Sequence, residues 1–314
     1  MGPVREASRL RVGLALGIVY LVWGSTYLAI RVTVAPTHGA AMPPLLMAGS
    51  RYLVAGGALF AATAHRAAPD GLPDPLGRRQ WAATTVVGIS LLVGGNGFVV
   101  LAERRIASGV TAVVVATVPI WTALIAAVRG YERVSARHLA GLALGFVGVG
   151  ALVVGHGGRY DPVGVGLVVI AALLWSAGSV YSQRAPMPRR PLVMTAMEML
   201  AGGAVLTAVA VAVGEPARLH PSQLGASVWV AWAYLVIAGS IVAFTAYVWV
   251  LRNAPLSLAT TYAYVNPVVA IGLGSLVLSE PLSGRAIAAT LVTLAGVVLL
   301  VTRRSPVAAG EQRD

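Results

Sequence analysis

The stretch VPIWTALIAAVRGYERVSARHLAGLALGFVG (residues 118–148) is echoed 148 residues later by NPVVAIGLGSLVLSEPLSGRAIAATLVTLAG (residues 266–296). A proline, an acid, a base and a glycine recur at this constant offset. They are Pro119 and Pro267, Glu132 and Glu280, Arg137 and Arg285, and Gly148 and Gly296. A repeat without gaps in apolar sequence predicts a membrane unit that has been duplicated.

The composition indicates an integral membrane protein. Of the 314 residues, 57% are hydrophobic and 11% are charged, whereas a soluble domain carries about 25% charged residues. The apolar residues form long blocks, as membrane spans do. The net charge of +12 lies at the ends of these blocks. That placement favours orientation in a lipid bilayer over binding to nucleic acid.

Ten transmembrane helices are predicted, each 18 to 25 residues long and therefore able to cross about 30 Å of hydrocarbon. Proline- and glycine-rich segments separate them. The first apolar run is too long for the core of a signal peptide, so it is expected to be retained as a span. The predicted spans are residues 12–34, 44–64, 80–101, 107–128, 136–154, 163–183, 192–213, 226–250, 257–278 and 285–302.

The distribution of arginine predicts the orientation. Sixteen of the 23 arginines lie on the same side as the N-terminus and six lie on the other side, which places both termini in the cytoplasm. Each copy of the repeat has five spans, an odd number, so the second copy enters the membrane inverted. The predicted units are residues 12–154, residues 163–302 and a cytoplasmic tail at 303–314. Inverted repeats place a substrate site near the midplane and work by alternating access.

The two repeated prolines are candidate pathway residues. Pro119 and Pro267 lie within the fourth and ninth spans, where each frees the carbonyl group four residues earlier, at Val115 and Ala263. Such groups are tolerated in a membrane only where protein or water satisfies them. The prolines therefore line or gate the pathway, or else they kink the helices only for packing.

Arg51 and Glu198 are the charges predicted to lie deepest in the membrane. A charge at that depth costs at least about 2.5–3.5 kcal/mol and needs a partner or a wet cavity. Glu198 is a candidate for proton coupling or for binding a substrate amine. The alternative is a structural ion pair or hydrogen bond, for which Arg51 is one candidate partner.

Aromatic and amide side chains at membrane depth suggest the lining of the site. The candidates are Trp23 and Tyr27 in the first span, Asn96 in the third, Trp175 in the sixth, and Tyr262 and Asn266 in the ninth. Together they suit a small amphipathic metabolite. The alternative is that they serve packing and hydrogen bonds between helices.

The sequence lacks the motifs of other membrane functions. It has no cysteine, no HExxH motif, no cluster of acids within a span and no glycine-rich phosphate loop. We therefore expect no enzyme activity, no bound metal and no cofactor.

The repeated motifs resemble the EamA family of the drug/metabolite transporter superfamily. They include Thr117 to Trp121 and Tyr131-Glu132 in the first copy, and Val265 to Val269 and Ser279 to Leu282 in the second. The resemblance covers about residues 12–302. It implies ten helices in two inverted bundles, and a central cavity between the first, third, fourth, sixth, eighth and ninth helices. It also implies export of amino acids or related metabolites across the bacterial inner membrane.

The predicted function is therefore a secondary transporter that exports small, amino-acid-like metabolites across the inner membrane. One alternative is an antiporter for phosphorylated metabolites or nucleotide sugars, which would need several buried basic residues. A different alternative is a membrane sensor or scaffold that transports nothing.

Overall fold

The computed structural model describes residues 9–35, 39–63, 76–130, 161–254, 259, 261–279 and 284–301, and isolated positions between 136 and 151. Every regular element in these residues is helical, which confirms the predicted all-helical class. Most of the predicted fifth span and the tail at 303–314 lie outside the described residues. So do Glu132, Arg137 and Glu280 of the repeat.

Seven described helices are long and apolar enough to cross a membrane, and two more match the predicted ninth and tenth spans. Each is numbered by the predicted span to which it corresponds, and the total of ten stays a prediction. The first to fourth are Leu10–Val34, Pro44–Thr63, Arg78–Ala102 and Ser108–Val128. The sixth to eighth are Pro162–Ser182, Pro191–Ala212 and Ala226–Val250. The last two are Tyr262–Leu278 and Gly284–Val301.

Proline and local capping explain where several spans begin. The second, sixth and seventh spans start at Pro44, Pro162 and Pro191, because the first turn of a helix does not use the amide that proline lacks. The carboxylate of Asp161 accepts a hydrogen bond from the amide of Val163 at 2.9 Å, which caps the sixth span.

The third and eighth spans share a backbone irregularity. Each contains a π-helical segment, at Ile89–Gly97 and at Leu235–Val242. Such segments are rare in helices and occur frequently at functional sites. Because the two segments overlap after a shift of 148 residues, this irregularity belongs to both copies of the repeat.

The second and seventh spans pack closely and run antiparallel. A Cβ atom on Gly49 would lie 2.4 Å from Thr207 Oγ1, and one on Gly56 would lie 2.9 Å from the Cβ of Met199. Residue numbers therefore rise along one helix as they fall along the other. These spans are equivalent in the two copies, so their opposite directions are what an inverted repeat requires.

The contacts between spans are symmetric when the two copies are exchanged. The third span packs against the seventh, as the eighth packs against the second. The first span packs against the eighth and ninth, as the sixth packs against the third and fourth. The described helices thus meet in a pseudo-two-fold arrangement, with the first, fourth, sixth and ninth spans close to its centre.

Candidate functional site

A central cavity lies between the two sets of helices. The resemblance implied the first, third, fourth, sixth, eighth and ninth spans as its walls, and all six contribute to it. The second span also contributes, through Arg51 and Tyr52. The remaining lining residues are mostly aromatic or apolar, with amides at Asn96 and Asn266.

The cavity brings together seven of the ten residues singled out from the sequence. They are Trp23, Tyr27, Arg51, Asn96, Trp175, Tyr262 and Asn266. Pro119 and Pro267 are buried but do not line the cavity. Glu198 is buried as well, and it lines a different cavity. The placement is consistent with the proposed lining, and the roles of these residues stay predictions.

Trp23 is the centre of an aromatic cluster. Its ring centroid lies 4.8 Å from that of Tyr247, 5.1 Å from Tyr262, 5.8 Å from Phe244 and 6.0 Å from Trp175. Most of these pairs are edge-to-face, a favourable geometry for aromatic rings. The indole nitrogen of Trp23 donates to the carbonyl oxygen of Gly239 at 3.2 Å. The cluster gives one end of the cavity a rigid apolar wall.

The two amide side chains of the cavity lie at irregular or constrained positions of their helices, Asn96 in the π-helical segment of the third span and Asn266 directly before Pro267. The side-chain nitrogen of Asn266, in the orientation that satisfies its neighbours, donates to the carbonyl oxygens of Tyr262 at 3.1 Å and Tyr20 at 3.3 Å. Asn266 thus ties the ninth span to the first while it contributes to the cavity wall.

The two prolines affect their helices differently. The fourth span is divided into Ser108–Val115 and Val118–Val128, and Pro119 lies in the first turn of the second part. Pro267 lies inside a continuous helix. Val115, whose carbonyl group was predicted to be freed, lines the cavity, and Ser176 donates to the carbonyl oxygen of Val118 at 3.0 Å.

Among the described residues, Arg51 is held at the cavity wall by one hydrogen bond. Its Nε donates to Ser240 Oγ at 2.7 Å, and its guanidinium carbon lies 4.8 Å from the ring centroid of Tyr52. Its Nη1 atom is buried without a hydrogen-bond partner among the described residues. Arg51 and Glu198 line different cavities, and no ion pair joins the two in the described structure. The proposed roles of Glu198 stay predictions.

A second cavity adjoins the central one. Its wall includes Glu198 and, from the segment between the sixth and seventh spans, Gln183 and Arg189. Phe244 lines both cavities, so this ring stands between them. The second cavity adjoins the side of the membrane predicted to be cytoplasmic.

Glu103 is a buried charge that sequence reasoning missed. Its side chain is fully buried, although it lies in the turn between the third and fourth spans. Arg31 donates to the backbone oxygens of Glu103 and Ile106, which fixes this turn against the first span. The neighbouring Arg104 and Arg105 marked the segment as an exposed loop, and nothing in the residue pattern indicated that Glu103 turns inward.

Comparison with known proteins agrees with this architecture. The sequence model of the EamA-like transporter family matches residues 11–154 and 162–302. The chain is 40% identical over 270 residues to an Escherichia coli K12 protein described as the uncharacterized inner membrane transporter YedA, covering 86% of this chain and 83% of that protein. It is 26% identical over 304 residues to a probable amino-acid metabolite efflux pump of Salmonella typhimurium, covering 90% and 92%.

A solved crystal structure has the same fold. It superimposes with a TM-score of 0.64 at 24% sequence identity, over 93% of this chain and 96% of the other. At that identity the likeness establishes the fold alone.

The fold and the family together define a multi-pass transporter of the inner membrane. The chain belongs to the EamA-like transporter family. The family resemblance read from the repeated motifs is thereby confirmed. Trp23 to Tyr27 and Thr261 to Ala270 resemble YedA-type members of this family, and the 40% identity to YedA confirms that likeness.

Proposed function

We propose that this protein is a secondary transporter that exports small, amino-acid-like metabolites by alternating access between two inverted five-helix repeats. The observation that carries the proposal is the central cavity, which is enclosed by equivalent spans of both copies. A site between inverted repeats is exposed to one side of the membrane and then to the other as the two copies exchange conformations.

The second cavity supports this mechanism. It lies beside the central cavity on the predicted cytoplasmic side, and Phe244 stands between the two. A substrate that entered from the cytoplasm would pass Glu198 and then this ring before reaching Trp23. Closure behind the substrate and opening on the far side would complete export.

The lining favours a small amphipathic metabolite as substrate. Aromatic side chains form much of the wall, and a few polar groups are spaced around it, as in typical small-molecule sites. The relative described as an amino-acid metabolite efflux pump supports the same substrate class. A phosphorylated substrate is less suitable, because Arg51 is the one basic side chain among the described lining residues.

The test is transport by the purified protein in liposomes with labelled amino acids and their derivatives. We expect flux of at least one compound, inhibited by an excess of the unlabelled form. Correctly folded protein that moves none of them would contradict the proposal and favour a sensor or scaffold.

The orientation has its own test, because the chain contains no cysteine. Ser222 and Gln183 are exposed residues on opposite sides of the seventh span. In intact cells a membrane-impermeant maleimide should label Ser222→Cys but not Gln183→Cys. The reverse result would contradict the proposal of cytoplasmic termini.

A further inference from the structure

The guanidinium group of Arg51 is an unusual feature of the central cavity. Its side chain is 4% exposed and lies at membrane depth, where an ionised group is unfavourable unless a partner or a wet cavity compensates it. Arginine does not escape this by losing its proton in proteins. The charge at this wall is therefore compensated either by water or by an anion in the cavity.

Among the described residues, no carboxylate lies within ion-pair distance of that charge. The ion pair of the described structure joins Arg105 and Asp161 on the surface. Glu198, the acid that the sequence suggested as a partner, faces the second cavity. The residues that line the central cavity with Arg51 include no aspartate or glutamate. An anion at Arg51 would then have to come from a bound molecule.

The eighth span holds the guanidinium in place for such a ligand. Ser240 accepts from Arg51 Nε at 2.7 Å and donates to the carbonyl oxygen of Leu235 at 3.0 Å, within the π-helical segment. Gly239 leaves room beside it, since a Cβ there would lie 3.3 Å from Arg51 Nη2. Because Nε already donates to Ser240, an anion would accept hydrogen bonds from the two Nη atoms. Their spacing matches that of the two oxygens of a carboxylate.

The rest of the cavity suits the body of the same ligand. Trp23 and Trp175 supply an apolar wall, with ring centroids 6.0 Å apart. Asn96 and Asn266 supply neutral hydrogen-bonding groups. An ammonium group buried in this cavity would meet no acidic side chain among the described lining residues, and a buried charge without a partner is unfavourable.

We propose that Arg51 is the anchor for the carboxylate of the transported molecule. We further propose that the cavity prefers carboxylates with a compact apolar or aromatic body and no free ammonium group, such as the oxo, hydroxy or N-acylated forms of amino acids. This assignment specifies the substrate class of the transport function proposed above, and it depends on that function. Binding alone is enough to test it.

The experiment is calorimetric titration of the purified full-length protein with four probes of similar shape. They are 3-phenylpropionate, 3-phenylpropanamide, phenylalanine and 2-phenylethylamine. We expect 3-phenylpropionate to bind about tenfold or more tightly than the neutral amide, because hydrogen bonds to a charged group are the strong ones. Phenylalanine should bind more weakly than 3-phenylpropionate, and 2-phenylethylamine the most weakly.

Substitutions assign the preference to one side chain. Arg51→Met introduces the residue found at the equivalent position 197 of the second copy, and it should remove the preference for the acid over the amide. Arg51→Lys should keep part of that preference. Arg105→Met is the matched control, because it removes a half-exposed surface arginine; it should leave all four affinities unchanged.

Several results would overturn the assignment. One is equal affinity of the wild-type protein for the acid and the amide, and another is no binding of the acid at all. A third is an acid preference that survives in Arg51→Met. If Arg51→Met does not fold, Ser240→Ala replaces it, with an expected weakening for the acid but not for the amide. Flux of neutral or cationic compounds without acid preference would reject this assignment and keep the transport function. Acid binding that depends on Arg51, without flux of any compound, would keep this assignment and reject the transport function.

Discussion

The two halves of this transporter share a backbone plan but differ in the polar side chains that they bring to its centre. Trp23 and Trp175 occupy corresponding places in the first and sixth spans, and both line the cavity. Elsewhere one copy has a polar residue where the other has an apolar one. These pairs are Asn96 and Phe244, Asn266 and Val118, and Arg51 and Met197. Duplication therefore accounts for the shared arrangement of helices. Sequence divergence between the copies accounts for the polar side chains of the cavity.

Within the described residues, the backbone differs between the copies at the fourth and ninth spans. The π-helical segments of the third and eighth spans correspond, whereas the fourth span is broken before Pro119 and the ninth is continuous through Pro267. Two copies that carry the same proline thus respond to it differently. The two copies therefore differ in whether this helix is continuous.

The largest expected effect separates the two tryptophans. Truncation of a buried tryptophan to alanine costs about 3–5 kcal/mol, and Trp23→Ala should approach that range because Trp23 meets four aromatic rings and donates to Gly239. Trp175 is only half-buried and has fewer ring contacts, so Trp175→Ala should cost less. Thermal unfolding in detergent measures both. Equal losses would show that the two copies contribute equally to the cluster.

Glycine pairs test the close packing of the second and seventh spans. Gly57 and Gly203 are equivalent, but a Cβ on Gly203 would lie 3.0 Å from the backbone nitrogen of Leu53, whereas one on Gly57 would meet nothing within 4 Å. Gly203→Ala should therefore destabilise the protein by about 1 kcal/mol or more, the lower end of overpacking costs. Gly57→Ala should be neutral or stabilising through helix propensity. The same sign of change in both variants would contradict the packing described.

Substitution of the two repeated prolines compares the two copies through their effect on transport. Pro267→Ala restores a hydrogen bond in the interior of a helix that contributes to the cavity wall, so we expect a severalfold lower flux at unchanged substrate affinity. Pro119→Ala should change flux less, because a first-turn proline costs its helix no hydrogen bond. Flux and substrate affinity, measured on both variants, show which proline transport depends on. A larger loss in Pro119→Ala would show that transport depends more on the proline of the fourth span than on that of the ninth, contrary to this expectation.

The smallest expected effect lies at the start of the second half. Arg105, at 2.5 Å, and the amide of Val163 hold the pKa of the Asp161 carboxyl below its usual value. A lowered pKa means that the ionised form stabilises the fold above the usual carboxyl pKa, and that this contribution is lost as the pH falls through the lowered value. Melting temperatures of Asp161→Asn should show a weaker dependence on acid pH than the wild type. The difference should be slight, since the pair is exposed.

The helical frame was predictable because hydropathy and proline placement act locally. The second, sixth and seventh spans begin within a residue of the predicted starts, at Pro44, Pro162 and Pro191. Seven of the residues that line the cavity were also identified from the sequence, since aromatic, amide and charged groups in mid-span are rare and need a reason to be there. Arg51 and Asn96 are examples. Tyr52 and Phe244 line the cavity too and were not identified.

Other features depend on tertiary packing and left no local signal. A π-helical segment adds a residue to a turn without changing the composition, so those of the third and eighth spans were not predicted. Glu103 lies in a charged turn that nothing marks as buried. The separation of Arg51 from Glu198 into different cavities depends on how the second, seventh and eighth spans cross, which periodicity does not encode.

The most direct test of alternating access is counterflow in liposomes. Vesicles that contain the purified protein are loaded with an excess of unlabelled substrate, and a trace of labelled substrate is added outside. A carrier with one central site accessible from either side in turn should concentrate the label inside for a time, above its equilibrium level. Label that only approaches equilibrium, as through a channel, or that never enters, would contradict the account.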